Sequence, residues 1–441
     1  MTLIKKLVCL AMVSLMVLLS VSSLAELEFD ADDLIPAATR ARTTLLDLRT
    51  TNTATSSTAE GWAFEPTGDN GHKKLTLNGY GLQSSHSAPI RLAPDTLIEV
   101  NGVCYIDNSR MNADYDVISA ECGGYLHISG SGTLNLYSEN YLGSSISKLS
   151  GSASDHNDDL VIEGVTVNCY NHERDSHTAF DNQPCIYAYK SMTIRNAVIN
   201  TYQGKAGLRI WGETPIGGVT EETADEILIE NSTVNIQNES ENGLWQYGNG
   251  IENTFGRTRI TGSSHVTINA GSKSIYTYLS LVIEGGTLDV CSTPVASNTD
   301  VWALVTCNCL KIGPDAERVK LSAARYPLTV VLHCKENFRS TLGDGLTVEI
   351  GSFDPSEGYA TELDPATGLP TLLVTSGSGS KLLGDVDLNG FVEFADVTLL
   401  SAYILNEVDL CEQSLINADA NEDGTINSLD LTAICNIILN H

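Results

Sequence analysis

From residue 118 to residue 312 the chain repeats one apolar pattern: a short run ending in isoleucine, a Gly or Asn within two residues, then a second short run. Leu126-His127-Ile128-Ser129-Gly130 leads to Thr133-Leu134-Asn135-Leu136, and Val161-Ile162-Glu163-Gly164 leads to Thr166-Val167-Asn168. Thr193-Ile194-Arg195-Asn196 leads to Val198-Ile199-Asn200, and Leu228-Ile229-Glu230-Asn231 to Thr233-Val234-Asn235-Ile236. Arg259-Ile260-Thr261-Gly262 and Val282-Ile283-Glu284-Gly285 repeat the form, and Lys311-Ile312-Gly313 begins a weaker copy. The isoleucines at 128, 162, 194, 229, 260, 283 and 312 are separated by 34, 32, 35, 31, 23 and 29 residues. A third apolar run precedes most copies: Ile118, Ile186-Tyr187-Ala188, Ile251, Ile275-Tyr276-Thr277 and Ala303-Leu304-Val305.

Three short strands per repeat, with Gly or Asn at the corners, predict a mainly β chain folded as a right-handed parallel β-helix. One coil cannot bury its apolar face alone, but stacked coils pair their strands and line up like side chains inside. Gly and Asn tolerate the left-handed backbone of a tight corner. Alternation in runs such as Thr233-Val234-Asn235-Ile236 sends every second residue inward. A β-sandwich is the rival fold, and the recurring period weighs against it. The gaps exceed what a bare coil needs. The excess is expected after the second strand, over 138–158, 171–184, 203–225 and 238–249, so these insertions emerge on one side as a binding face.

The two ends change the picture. Lys5 and Lys6, an apolar run from Leu7 to Val21, and small residues at Ser23 and Ala25 predict an export signal over residues 1–25. The mature chain is then secreted, with no later span for a membrane. Residues 26–60 read as a leader or linker, 61–375 as the β-helix, 376–381 as a Ser/Gly linker, and 382–441 as a separate C-terminal domain. The formal charge is −30. That argues against nucleic acid and anionic membranes as partners. Eleven cysteines without a CxxC pair are expected to be mostly buried free thiols rather than a disulfide framework.

The C-terminal region carries two twelve-residue loops, Asp385 to Asp396 and Asp419 to Asp430. Oxygen-bearing residues fall at positions 1, 3, 5, 9 and 12, with Gly390 and Gly424 at position 6. This spacing wraps a hard cation, the carbonyl at position 7 adding an oxygen. An apolar helical stretch follows each loop, and neither loop has a full entering helix. Duplication, loop chemistry and position together resemble a type I dockerin over residues 382–441. The resemblance implies two Ca2+ ions, held by Asp385, Asp387, Asn389, Asp396 and the Phe391 carbonyl, and by Asp419, Asn421, Asp423, Asp430 and the Thr425 carbonyl. Glu393 and Asn427 would act directly or through water. It also implies a cohesin partner on a scaffolding protein and an extracellular, cellulosome-associated location. Cohesin choice would rest on loop positions 10 and 11, here Phe394-Ala395 and Ser428-Leu429. These two pairs differ, which puts interchangeable binding faces in doubt.

The Trp62 to Leu82 segment and the later Gly-Thr-Leu segments resemble secreted bacterial β-helix proteins described as carbohydrate-binding. That resemblance implies plant cell-wall polysaccharide as ligand, cellulosic or acidic, and no reaction. Sugars stack on aromatic faces, and Trp211, Trp245 and Tyr247 fall in the insertions. The rival reading is a lyase or glycoside hydrolase acting on pectin-like substrates. Asn298-Thr299-Asp300 matches a polygalacturonase signature, but no partner motif follows it; Asp158-Asp159 and Arg209-Ile210 lie upstream. A lyase set would be Asp181 with Lys205 or Arg209. His172 and His177 are solvated loop residues on this reading. A third alternative is a structural or adhesive surface protein without a sugar ligand.

Overall fold

The computed structural model describes residues 45–68, 71–83, 88–108, 116–120, 124–138, 144–148, 159–171, 184–202, 206–211, 224–238, 249–270, 274–292, 305–307, 309–323, 340–354, 358–376, 383–387, 392–405, 408, 410, 412–421 and 423–440. The β region up to residue 378 and the residues from 379 onward form separate units.

In the β unit the chain visits three parallel sheets in turn. The first sheet carries the repeated isoleucines: Ile128 pairs with Ile162, Ile162 with Ile194, Ile194 with Ile229, and on through Ile260 and Ile283 to Ile312. The second sheet stacks Leu134, Val167, Ile199, Val234, Val266, Leu288 and Val319. The third, of short strands, stacks Ile90, Ile118, Ile146, Ile186, Leu208, Ile251 and Ile275. All three rows meet in one buried core. Burying one isoleucine fully is worth about 1.5–3 kcal/mol, so the register is fixed by many equal increments.

Corners between the first and second sheets use the left-handed backbone that the sequence predicts. Asn196 and Asn231 have φ of 49° and 48°, and Gly164 and Gly262 have φ of 69° and 64°. On the outer side of the second sheet an asparagine ladder runs along the stack. Asn168 donates to Asn135 at 2.8 Å, Asn200 to Asn168 at 2.8 Å and Asn235 to Asn200 at 2.9 Å. Beside it, Tyr137, Tyr170 and Tyr202 stack with ring centroids 4.9 Å apart.

Several boundaries differ from the sequence expectation. Part of the leader assigned to 26–60 belongs to the sheets: Leu46 pairs with Ile90 and is buried, and Thr55–Ser57 pairs antiparallel with Trp62–Glu65. A two-residue strand carries too little periodicity to show in the sequence. The isoleucine row also extends upstream through Ile98 to Leu75. Ser376 closes the last strand, paired with Leu346, so the linker assigned to 376–381 begins after it. The excess residues do not all follow the second strand. Ile146–Lys148 and Ala206–Ile210 form third-sheet strands within two of the expected insertions, so connections flank both edges of the third sheet.

At each end of the stack one sheet turns antiparallel. The strand Trp62–Glu65 pairs with Lys73–Asn78 at one end, and Pro370–Ser376 with Ala316–Ala323 at the other. This reversal interrupts the parallel edge that would otherwise template further pairing.

Among the described residues the C-terminal unit has three helices, α1 (Phe394–Ile404), α2 (Glu412–Ala418) and α3 (Ser428–Asn440). Its small core joins Val386 and Ala420 from the two loops, Leu400 from α1 and Ile434 from α3. The second loop does have an entering helix: α2, seven residues long, runs up to Asp419. Its Asn417 accepts the Gly384 N–H at 2.8 Å and donates its side-chain amide to the Asp385 carbonyl at 2.8 Å. A short polar helix of this kind is held by such bonds rather than by an apolar face, which is why hydrophobic periodicity misses it.

Candidate functional site

In both C-terminal loops, position 9 immediately precedes a helix and position 12 is the third residue of that helix. The Asp396 carboxylate accepts the N–H groups of Val386 and Asp387 with one oxygen, at 2.7 and 3.0 Å, and that of Glu393 with the other, at 2.8 Å. Asp430 repeats this, accepting Asn421 N–H at 3.2 Å and Asn427 N–H at 2.8 Å. Both aspartates are fully buried. Burying a carboxylate is costly unless hydrogen bonds or a cation compensate it, so these side chains brace the loop from inside.

Oxygens of Asp385, Asp387 and Asp396 lie within 4.8 Å of one another. A cluster of hard carboxylate oxygens fits Ca2+ rather than a soft metal. In the second loop, Asp419 accepts the N–H groups of Asp423 and Gly424, both at 3.0 Å. Asn421 accepts Asp423 N–H at 2.9 Å and Asp423 accepts Thr425 N–H at 2.8 Å. These bonds fold the backbone inward around the side-chain oxygens. Asn427 donates its amide to the Thr425 carbonyl at 2.8 Å and caps α3 through Leu429 N–H at 2.8 Å. Asn389 and Phe391 lie outside the described residues.

Phe394, Ala395, Ser428 and Leu429 are all exposed on the first turns of α1 and α3. Phe394 is 57 % exposed and Leu429 59 %. The two faces are not chemically alike: one offers an aromatic ring at position 10, the other a leucine at position 11.

The β unit places one of its three expected sugar-binding residues: Trp211 is 45 % exposed at the edge of the third sheet. Trp245, Tyr247, Asp181, Lys205, His172, His177, Asp158 and Asp300 lie outside the described residues. Register surrounds Arg209, a candidate from the sequence, with Tyr187, Glu252 and Tyr276, which the sequence does not mark as site residues. Arg209 pairs with Tyr187 on one side and Glu252 on the other, and Glu252 with Tyr276. All four side chains alternate with buried residues and so point outward from one face. The Arg209 guanidinium lies 3.4 Å from Glu252 and 4.7 Å from the Trp211 ring centroid. Burial pushes the Tyr187 phenol up, with Arg209 opposing that shift, and burial followed by the Glu252 charge raises Tyr276. The signal was present in Ile186-Tyr187-Ala188 and Ile275-Tyr276-Thr277, where alternation points each tyrosine outward.

The stacked tyrosines on the second sheet are a poor sugar platform by contrast. Their faces cover one another, and burial pushes the Tyr170 phenol up to about 12. The described cysteines are free thiols, with Cys104, Cys169, Cys185, Cys307 and Cys309 buried.

Residues 383–439 match the family model described as the dockerin type I domain. The chain therefore bears a type I dockerin, a calcium-binding domain that docks to cohesin in cellulosome-type proteins. No curated protein and no solved structure matches the chain. No helix among the described residues is long and apolar enough to cross a membrane.

Proposed function

We propose that this is a secreted cellulosome component whose right-handed parallel β-helix binds plant cell-wall polysaccharide while its dockerin fixes it to a scaffold cohesin. The signal over residues 1–25 would direct export, with cleavage after Ala25. Asp385, Asp387, Asn389, Asp396 and the Phe391 carbonyl would hold one calcium. Asp419, Asn421, Asp423, Asp430 and the Thr425 carbonyl would hold the other. Glu393 and Asn427 would contribute directly or through water. Phe394-Ala395 and Ser428-Leu429 would meet the cohesin.

One observation supports the binding reading above all: an exposed tryptophan beside an outward row of tyrosine, arginine and glutamate on a sheet flanked by long connections. Aromatic faces with polar neighbours suit sugar rings and their hydroxyls. Trp245 and Tyr247, which the sequence puts in an insertion, would join this surface on the same reading. Affinity electrophoresis of the full chain in xylan, cellulose derivatives and pectins tests it. Retardation without release of reducing ends or unsaturated uronates is the expected result. Turnover of any of these polymers would instead support the enzyme reading, and the absence of both would support an adhesive role. For the dockerin, Asp385→Ala combined with Asp419→Ala is expected to abolish cohesin capture, and undiminished capture in chelator would refute calcium dependence.

A further inference from the structure

We propose that the outer face of the third sheet is a site for a neutral, extended glycan lying along the stack, with Trp211 and Tyr278 as platforms and the Arg209–Glu252 pair as floor. This rests on the polysaccharide-binding reading above and adds to it a place and a ligand class.

The platforms are related by register. Trp211 follows Arg209 by two residues, and Tyr278 follows Tyr276 by two. Backbone bonds continue the third-sheet register past the strand ends: Trp211 N–H donates to the Ala188 carbonyl at 3.3 Å, and Tyr278 N–H to that of Asn253 at 3.1 Å. Both therefore stand at the same corner, two coils apart, or roughly 10 Å at about 4.8 Å per strand. Trp211 is 45 % and Tyr278 44 % exposed. Phe255, from the coil between them, lies with its ring centroid 6.3 Å from that of Tyr278. Trp211 and Tyr278 thus form an aromatic pair that runs across the strands rather than along them, with Thr254 at the corner position between them and Phe255 one residue beyond it, and such a pair suits a polymer that presents successive ring faces along the stack.

The floor offers hydrogen-bonding capacity that no described residue meets. Arg209 is only 8 % exposed, yet its Nε–H finds no acceptor among the described residues. A buried donor without an acceptor costs about 1–3 kcal/mol, so a shift of Arg209 that brings this covered N–H to a sugar hydroxyl or ring oxygen would recover that cost.

Charge decides between neutral and acidic glycans. The Arg209 charge is already met by Glu252, so a uronate carboxylate would sit beside another carboxylate. The whole chain carries a formal charge of −30, which repels polyanions at long range. A polymer of hydroxyls meets neither obstacle.

The test compares xylohexaose, cellohexaose and an oligogalacturonate by isothermal titration to the full chain, the Trp211→Ala chain and the Tyr278→Ala chain. Both substituted residues are exposed, and thermal unfolding checks that each variant keeps its fold. The expected result is binding to a neutral hexaose that does not weaken with added salt, reduced roughly tenfold or more by either substitution. Binding to oligogalacturonate alone would overturn the neutral class while leaving the polysaccharide reading intact. Neutral binding unchanged in both folded variants would overturn the site. No binding to any glycan would overturn both readings together.

Discussion

The carboxylate of Asp396 accepts the backbone N–H of Glu393 at 2.8 Å, so the last residue of the first calcium loop closes the first turn of the helix that follows. Asp430 and Asn427 repeat the relationship in the second loop at 2.8 Å. One side chain thus serves two structures, the loop and the helix N-terminus, where a carboxylate also complements the helix dipole. Asp396→Asn and Asp430→Asn keep the shape but remove the charge. Each is expected to weaken one calcium site by roughly tenfold or more, read by calcium titration of the full chain. Unchanged affinity in both variants would show that position 12 is structural only.

The asparagine ladder ties neighbouring coils through their outer surface. Asn200→Ala removes the bond to Asn168 and the bond from Asn235. At about 0.5–1.5 kcal/mol net per bond, a loss of about 1–3 kcal/mol is expected in urea unfolding. Thr267 occupies the next place in the row, paired with Asn235 in the strand register. Thr267→Ala is expected to cost less than Asn200→Ala; an equal cost would show that the ladder contributes nothing special.

Burial pushes the Asp116 carboxyl from 3.8 up to about 6, against lowering by the Ser144 N–H at 2.8 Å and the hydroxyls of Ser147 and Ser119. Between about pH 4 and 6 the folded chain therefore holds a proton that the unfolded chain releases. Its contribution to stability is greatest below this window and falls as pH rises through it. Asp116→Asn is expected to flatten that part of the stability profile between pH 4 and 7. An identical slope in the variant would contradict the assignment.

Thiol chemistry gives a separate check of the core. Burial pushes the Cys169 thiol up to about 12 and Cys185 well above its usual range. The thiolate is the reactive form, so alkylation of the native chain is expected to spare both. Unfolding in denaturant without reductant is expected to expose them. Labelling of either in the native state would mean that the coil opens locally.

The two halves of the molecule were legible to different degrees. The calcium loops could be read from sequence because their chemistry is contiguous: each ligand has a fixed offset from the one before it. The isoleucine row could be read because each coil repeats the same local pattern, and every predicted isoleucine takes its place in it. The third-sheet face could not be read in the same way. Tyr187, Arg209, Glu252 and Tyr276 are neighbours only through strand register, and connections of unequal length between them leave no period to detect. Leu46 was missed for a related reason, since its strand of two residues draws its partners from a coil more than forty residues away.

The account as a whole rests on one chain holding two partners at once. Cohesin immobilised on beads, loaded with the full chain in calcium and then offered labelled xylan and a soluble cellulose derivative, tests this directly. The expected result is retention of a neutral glycan on the beads, lost when a chelator releases the protein and lost without protein release in the Trp211→Ala chain. Glycan retention no greater than that given by residues 382–441 alone would contradict it.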